Sequence, residues 1–82
     1  DPSGVVALVA VHPNEGWIGH RVGDFEAATR TRAAVLTRFG TGELPTPETL
    51  LQSGDTLHVL ATDEQRSILH DLASRAPEGD VR

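Results

Sequence analysis

Apolar residues fall along the chain in short blocks separated by turn residues, and each block predicts one element. The first block, residues 5–11, holds seven apolar residues, among them four valines, between a glycine and a proline-containing turn. This length and composition indicate a strand that is buried on both faces. Val22 and Phe25 then recur three residues apart, as on one face of a short helix, which we expect at residues 21–28.

The rest of the chain predicts three further strands and a closing helix. An apolar stretch at residues 32–38 ends at residues 39–42, where two glycines permit a tight turn. The prolines that follow exclude a central strand and leave room for a short edge strand at residues 43–45. Residues 56–61 alternate as a strand does, and residues 63–75 carry apolar side chains at helical spacing behind an acidic first turn.

Local sequence cues add detail and complete the expected fold. Residues 49–52 predict one helical turn, and Thr62 or Asp63 is expected to cap the last helix. The expected fold is a small α+β domain with the order β-α-β-β-β-α, formed by residues 1–76. Residues 77–82, which are rich in proline, glycine and charge, are expected to form a disordered tail.

The length and composition of the chain predict a thin core. A chain of 82 residues that is 38% hydrophobic, with two Phe and one Trp, builds its interior from Val, Leu, Ile and Ala. The absence of cysteine removes disulfides and thiolate metal sites as sources of stability. We therefore expect the domain to gain stability from self-association, most simply as a homodimer.

The charge balance and the hydropathy of the chain exclude two classes of partner. The net charge is −5, with seven Arg and no Lys, which does not suit neutralisation of nucleic-acid phosphates. The longest apolar run is far shorter than the roughly 20 residues that cross a bilayer as a helix. The sequence therefore predicts a soluble, cytoplasmic domain without direct membrane insertion.

The chemistry-bearing residues do not fall into a catalytic or metal-binding pattern. Four histidines are present, His12, His20, His58 and His70, but no two have the spacing that preorganises a zinc site. No serine sits in the Gly-x-Ser-x-Gly turn of a hydrolase nucleophile. We expect neither a metal site nor an enzymatic activity.

Arginines bracket the second predicted strand and offer a candidate ligand site. If Arg30 and Arg32 project from the same face, they present forked donors that suit a phosphate or a carboxylate. Arg38 lies at the other end of the strand. The alternative is that these side chains make ordinary surface ion pairs.

The order of elements and one sequence run resemble the C-terminal domain of the TrkA/RCK family, the cytoplasmic regulators of bacterial potassium transport. Residues 47–57, Pro-Glu-Thr-Leu-Leu-Gln-Ser-Gly-Asp-Thr-Leu, are similar to the family's Pro-x-x-Thr-x-Leu-x-x-Gly-Asp-x-Leu run, with one residue fewer between the Pro and the Thr. The apolar strand that ends in Arg38-Phe39-Gly40, and the segment after Gly19, resemble the family in the same register. The residues that carry the resemblance are expected to be structural: Gly19, Arg38, Gly40, Pro47, Thr49, Gly54 and Asp55.

The resemblance implies a regulatory function and a set of partners. It implies a homodimer that works with a nucleotide-binding RCK domain and a membrane potassium channel or transporter subunit, at the cytoplasmic side of the plasma membrane. No Gly-x-Gly-x-x-Gly occurs here, so we expect no cofactor in this domain, and a nucleotide would bind the preceding domain. Two alternatives stay open, a cytosolic domain of an antiporter or other transporter and a dimerisation module without a ligand.

The resemblance also bears on the ligand. Some family members bind cyclic-di-AMP between two copies of this domain through an Arg and an Asn that lie between the first helix and the second strand. The corresponding residues 28–33 contain Arg30 and Arg32 but no Asn, so the identity of the ligand stays open.

Overall fold

The computed structural model describes residues 5–79, which form a four-stranded antiparallel sheet with two α-helices packed on one face. The sheet order is β1-β4-β2-β3. A 3₁₀ turn precedes each α-helix. The elements in chain order are β1 Val6–Val11, a 3₁₀ turn Glu15–Trp17, α1 Val22–Thr29, β2 Arg32–Arg38, β3 Thr41–Glu43, β4 Thr56–Thr62, a 3₁₀ turn Asp63–Gln65 and α2 Arg66–Ala73.

The expected α+β class and the order β-α-β-β-β-α are confirmed, but the third strand was placed two residues too late. Phe39 and Gly40 have φ angles of 51° and 77°, so they form a two-residue turn of type I′. Arg38 therefore pairs directly with Thr41, and β3 begins there. Pro45 lies beyond the strand, where its missing N–H costs no ladder hydrogen bond.

The expected helical turn at residues 49–52 is wrong, because this segment is extended and pairs with the chain that leads into α1. Leu50 forms an isolated antiparallel bridge with Arg21. The Leu51 N–H donates to His20 O at 2.9 Å, and the Val22 N–H donates to Thr49 O at 2.8 Å. The backbone groups of this segment are thus satisfied by a distant segment and not by a local turn.

The last helix also differs from its expected form at both ends. It begins with a 3₁₀ turn at Asp63–Gln65, and the Thr62 side chain makes no capping hydrogen bond. The α-helical part ends at Ala73, two residues earlier than expected. The expected tail at 77–82 falls partly on residues 80–82, which lie outside the described range, and its disorder stays a prediction.

The core lies between the helices and one face of the sheet. Leu36, Leu57 and Val59 point from the sheet toward Phe25 of α1 and Leu69 of α2, and all five are fully buried. Successive residues of each strand point alternately to this face and to the opposite, more exposed face, as the two-residue period of a strand requires. Both helices therefore bury their apolar sides against the same surface.

The single tryptophan ties the first 3₁₀ turn to the end of the last helix. Trp17 is buried, and its indole N–H donates to Leu72 O at 3.2 Å and to Arg75 O at 3.0 Å. Its ring meets that of Phe25 edge to face, with centroids 5.0 Å apart. The indole thus satisfies its donor while the ring fills the core.

The opposite face of the sheet is uncovered within residues 5–79, contrary to the expectation that the first strand is buried on both faces. Val6 and Leu8 are each 56% exposed, and Leu60 beside them is 43% exposed. We call this surface the open face. The strand registers assign to it Val6, Leu8 and Ala10 of β1, Thr56, His58, Leu60 and Thr62 of β4, and Arg32, Val35 and Thr37 of β2.

A bulge in β2 decides which of its side chains reach the open face. Arg32 pairs with Leu60, the register then shifts between Ala33 and Val35, and Val35 pairs with His58. The extra residue keeps Leu36 in the core while Arg32 stays on the open face, close to the end of α1. No helix among residues 5–79 is both long enough and apolar enough to cross a membrane.

Candidate functional site

The candidate site is built around the tight connection between α1 and β2. Arg30 ends the helix in the left-handed region, with φ 58° and ψ 44°, and its N–H donates to Glu26 O. The Thr31 N–H donates to the same carbonyl oxygen at 3.2 Å. A single residue of positive φ thus turns the chain from the helix into the strand and places Arg30 and Arg32 on either side of Thr31.

Buried hydrogen bonds hold this connection in place. The Thr29 hydroxyl donates to Phe25 O at 2.8 Å and lies 2.8 Å from the Thr31 hydroxyl, and both threonines are buried. The Ala33 N–H donates to Glu26 Oε2 at 2.8 Å, which ties the helix to the first residues of β2. Because these groups are already satisfied, the backbone that carries the two arginines is well determined.

The connection forms one wall of an open cleft with a volume of about 610 Å³. Arg30 and Arg32 both line this cleft, so the structure brings together the two arginines that the sequence singled out. Neither guanidinium makes an ion pair or a hydrogen bond with another residue of the range 5–79. The other lining residues are Val6, Glu26, Ala27, Thr31, Leu60, Ala61, Thr62 and Gln65.

The arrangement suits an anion that accepts several hydrogen bonds. Two guanidinium groups offer forked donors, and the nearby Glu26 carboxylate already accepts from Ala33. The sequence did not identify Glu26, Thr62 or Gln65 as part of this site. Glu26 precedes Arg30 by one helical turn, which is a local signal, whereas Thr62 and Gln65 reach the cleft only through the pairing of β4 with β2.

Arg38 does not join the cleft, because it lies at the far end of β2, roughly 20 Å away along the strand. Its guanidinium binds Asp55 in two places, with Nε 3.0 Å from Oδ1 and Nη2 2.9 Å from Oδ2. The same Nη2 donates to Leu50 O at 3.0 Å, and the Gln52 N–H donates to Asp55 Oδ2 at 2.8 Å. This pair fastens the end of β2 to the segment that precedes β4.

The charges of this pair are matched and mostly shielded from solvent. The Asp55 side chain is 1% exposed and that of Arg38 is 18% exposed. Burial alone would raise the pKa of the Asp55 carboxyl, but the hydrogen bonds from Arg38 and Gln52, with the charge of Arg38, hold it below its usual value. The hydrogen bond to Asp55 likewise raises the pKa of Arg38.

The remaining residues of the expected structural motif lie in turns or in the extended segment after β3. Gly19, Gly40 and Gly54 have φ angles of 87°, 77° and 83°, which side-chain-bearing residues rarely adopt. The Pro47 carbonyl accepts from Gly23 N–H at 2.9 Å, and the Thr49 hydroxyl accepts from Thr46 N–H at 2.9 Å. These contacts stabilise the loops, and none of these residues lines the cleft.

The histidines are spread over the domain. Within residues 5–79 no group of three or more His, Cys, Asp or Glu side chains is placed to hold a metal ion. The His12 Nδ1 lies 3.1 Å from the Thr56 hydroxyl, and His58 lies on the open face.

The fold and sequence together define the class of the protein. The model of the TrkA-C domain family matches residues 6–73, which is most of the chain. The chain therefore belongs to the TrkA-C domain family, as its resemblance to the TrkA/RCK C-terminal domain indicated.

One curated relative and one solved structure give this assignment its context. The chain is 35% identical over 78 residues to the Trk system potassium uptake protein TrkA of Streptomyces coelicolor. The match covers 95% of this chain and 35% of the relative, so the chain spans about a third of that protein's length. A structure of the GsuK channel bound to NAD shares the fold, with a TM-score of 0.71 and 19% identity over 83% of this chain and 13% of the channel.

Proposed function

We propose that this chain is a regulatory domain of a bacterial potassium uptake system and that it binds a small anionic ligand in the cleft of Arg30 and Arg32. The observation that carries the ligand proposal is the presence of two guanidinium groups, unpaired within residues 5–79, in one cleft of a chain whose net charge is −5. Such a concentration of positive charge on an acidic chain favours an anion at that place. The potassium uptake protein from Streptomyces coelicolor supports the choice of potassium uptake over an antiporter.

Control of this kind depends on binding and not on catalysis. A ligand shifts a conformational equilibrium only by its difference in affinity for two states, so the domain needs a cleft but no reactive group. We propose that the domain acts at the cytoplasmic side of the membrane, through an RCK domain and a membrane potassium channel or transporter subunit. A nucleotide such as the NAD in the GsuK structure would bind outside this domain.

We further propose that the chain works as a homodimer in which a second copy covers the open face. Half of the residues that the strand registers assign to that face are apolar and none carries a carboxylate, so two identical faces can meet without repulsion between acids. Val6, Arg32, Leu60 and Thr62 belong both to the open face and to the cleft. Ligand binding and self-association would therefore affect each other through shared residues.

The ligand is tested first by a thermal-shift screen of the chain against inorganic phosphate, ATP and cyclic-di-AMP. A compound that binds only the folded state raises the midpoint of unfolding. Calorimetry with the compound that gives the largest shift then compares the parent with Arg30→Ala and Arg32→Ala. Each substitution removes a charge-assisted contact of roughly 1.5–3 kcal/mol and should weaken binding about ten- to a hundredfold.

Arg75→Ala is the matched control for these variants. Arg75 carries the same charge but is exposed at the end of α2, where it pairs with Asp71 at 2.8 Å. Its removal should leave the affinity within about threefold of the parent, since only long-range attraction is lost. Equal affinity in all three variants would place the anion site outside the cleft.

A further inference from the structure

The turn between β2 and β3 combines backbone strain with a side chain that makes almost no contact within the domain. Phe39 has a φ of 51°, which is unfavourable for a residue with a bulky side chain. It is also 94% exposed, so its ring makes almost no contact that could offset this strain. The first position of a type I′ turn favours Asn, Asp or Gly, and Asn-Gly would form the same hairpin without this cost.

A second exposed apolar side chain lies on the same hairpin. Leu44, just after β3, is 85% exposed, and Phe39 and Leu44 are the two most exposed large apolar side chains of the described residues. We call residues 39–44 the hairpin arm. It forms an edge of the sheet, where, among the described residues 5–79, β3 pairs only with β2, through three residue pairs.

The charges of the arm indicate the chemistry of its partner. The Arg38 guanidinium at its base is engaged by Asp55 and by Leu50 O, so it has little capacity to bind another group. Glu43 is exposed between the two apolar side chains in sequence, its charge interacts with that of Arg38, and it is the one charged side chain of residues 39–44. An acidic arm is repelled by anionic lipid headgroups, whereas it complements a protein surface that carries basic side chains.

We propose that the hairpin arm docks Phe39 and Leu44 into an apolar pocket, rimmed by Arg or Lys, on another protein domain. Strain and exposure at one aromatic residue are retained where the residue serves a contact outside its own domain. The arm is separate from the anion cleft, since the two lie at opposite ends of β2. The proposal therefore stands whether or not the cleft binds a ligand.

The first test measures strain. Phe39→Asn should raise the midpoint of thermal unfolding of the chain by about 4–8 °C, because Asn accepts a positive φ and no buried contact is lost. Phe39→Trp is the matched variant that keeps both the aromatic ring and the strain, and its midpoint should stay near that of the parent. A lower midpoint for Phe39→Asn would show that the ring stabilises its own domain and would overturn the proposal.

The second test measures docking of the full-length protein in cells. Leu44 is replaced by the photoreactive p-benzoylphenylalanine, and the cross-linked peptides are mapped by mass spectrometry. We expect cross-links to an apolar surface that contains Arg or Lys, outside the sequence of this chain. They should be lost with Phe39→Asn, retained with Phe39→Trp and reduced by Glu43→Lys.

The control position is Ile68 on α2, which is 53% exposed and lies outside the arm. The same photoreactive group at Ile68 should not give these cross-links. The proposal fails if cross-links from position 44 survive Phe39→Asn or lead only to a second copy of this chain. It also fails if the parent chain, but not Phe39→Asn, binds phosphatidylglycerol vesicles, since the arm would then contact lipid.

Discussion

At the scale of single residues, the pair of Arg38 and Asp55 is an ion pair whose loss should cost the domain far more than the loss of an exposed one. The carboxylate accepts three hydrogen bonds and is almost fully buried. Asp55→Ala leaves the guanidinium with Leu50 O as its remaining acceptor and the Gln52 N–H without one, and the free energy of unfolding should fall by about 3–5 kcal/mol in urea titrations. Asp71→Ala, which breaks the exposed pair with Arg75, is the control and should cost less than about 1 kcal/mol. Similar losses in the two variants would contradict this ranking.

The same carboxyl group predicts how stability depends on pH. Its pKa is lower in the folded chain than in the unfolded chain, so the unfolded state binds the proton more tightly. The stabilisation is fully present above the unfolded value of about 3.9, and it is lost as the pH falls through the folded value. The difference in unfolding free energy between the parent and Asp55→Asn should therefore be constant from about pH 7 to about pH 5 and shrink below about pH 4. A difference that grows with acidity would contradict the sign of the pKa shift.

Residue roles were predictable from sequence where they depend on near neighbours. Arg30 and Arg32 stand two positions apart beside a helix end, so their common cleft follows from local geometry. A turn role for Asp55 follows in the same way, and its bond from Gln52 spans three residues. Its bond with Arg38 spans 17 residues and depends on how β2 meets the segment before β4, which no local pattern specifies.

At the scale of elements, the long strands and the two helices were predictable because their apolar periodicity is strong. The failures are the short segments, where distant pairing outweighs local preference. Residues 49–52 contain two leucines and look helical, yet they give their backbone hydrogen bonds to the residues around Arg21. The start of β3 was missed because Phe39 adopts a positive φ that a sequence argument assigns to glycine.

The turn before β4 offers a prediction at this scale. Gly54 has a φ of 83°, and a Cβ added there would meet nothing within 4 Å, so any cost of substitution comes from the backbone. Gly54→Ala should lower the free energy of unfolding by about 1–2 kcal/mol. The control is Gly42→Ala in β3, whose φ is not in the left-handed region and whose new Cβ would lie 3.5 Å from Val35 Cγ1. Equal midpoints in urea for the parent and Gly54→Ala would show that the turn tolerates a side chain.

At the scale of the whole molecule, the sheet is more apolar than one covered face requires. The sequence of β1 predicts burial on both sides, and within residues 5–79 only the side toward the helices is buried. The strand is apolar on both sides, but the expected burial of its second side is not found within residues 5–79. Neighbouring exposed apolar side chains such as Val6, Leu8 and Leu60 are typical of an interface, which supports the proposed homodimer.

The homodimer leads to the last prediction, which concerns self-association at the open face. Sedimentation at micromolar concentration should give a species of about twice the 8.8 kDa chain mass. Leu8→Glu and Leu60→Glu each place a carboxylate in the proposed apolar contact, where burial of an unpaired charge is costly, so both variants should sediment as monomers. Ile68→Glu on α2 changes an apolar side chain of similar exposure away from the open face and should remain dimeric. A parent chain that is folded but strictly monomeric would contradict the homodimer. If Leu8→Glu and Leu60→Glu stay dimeric with unchanged midpoints of thermal unfolding, the dimer contact lies outside the open face.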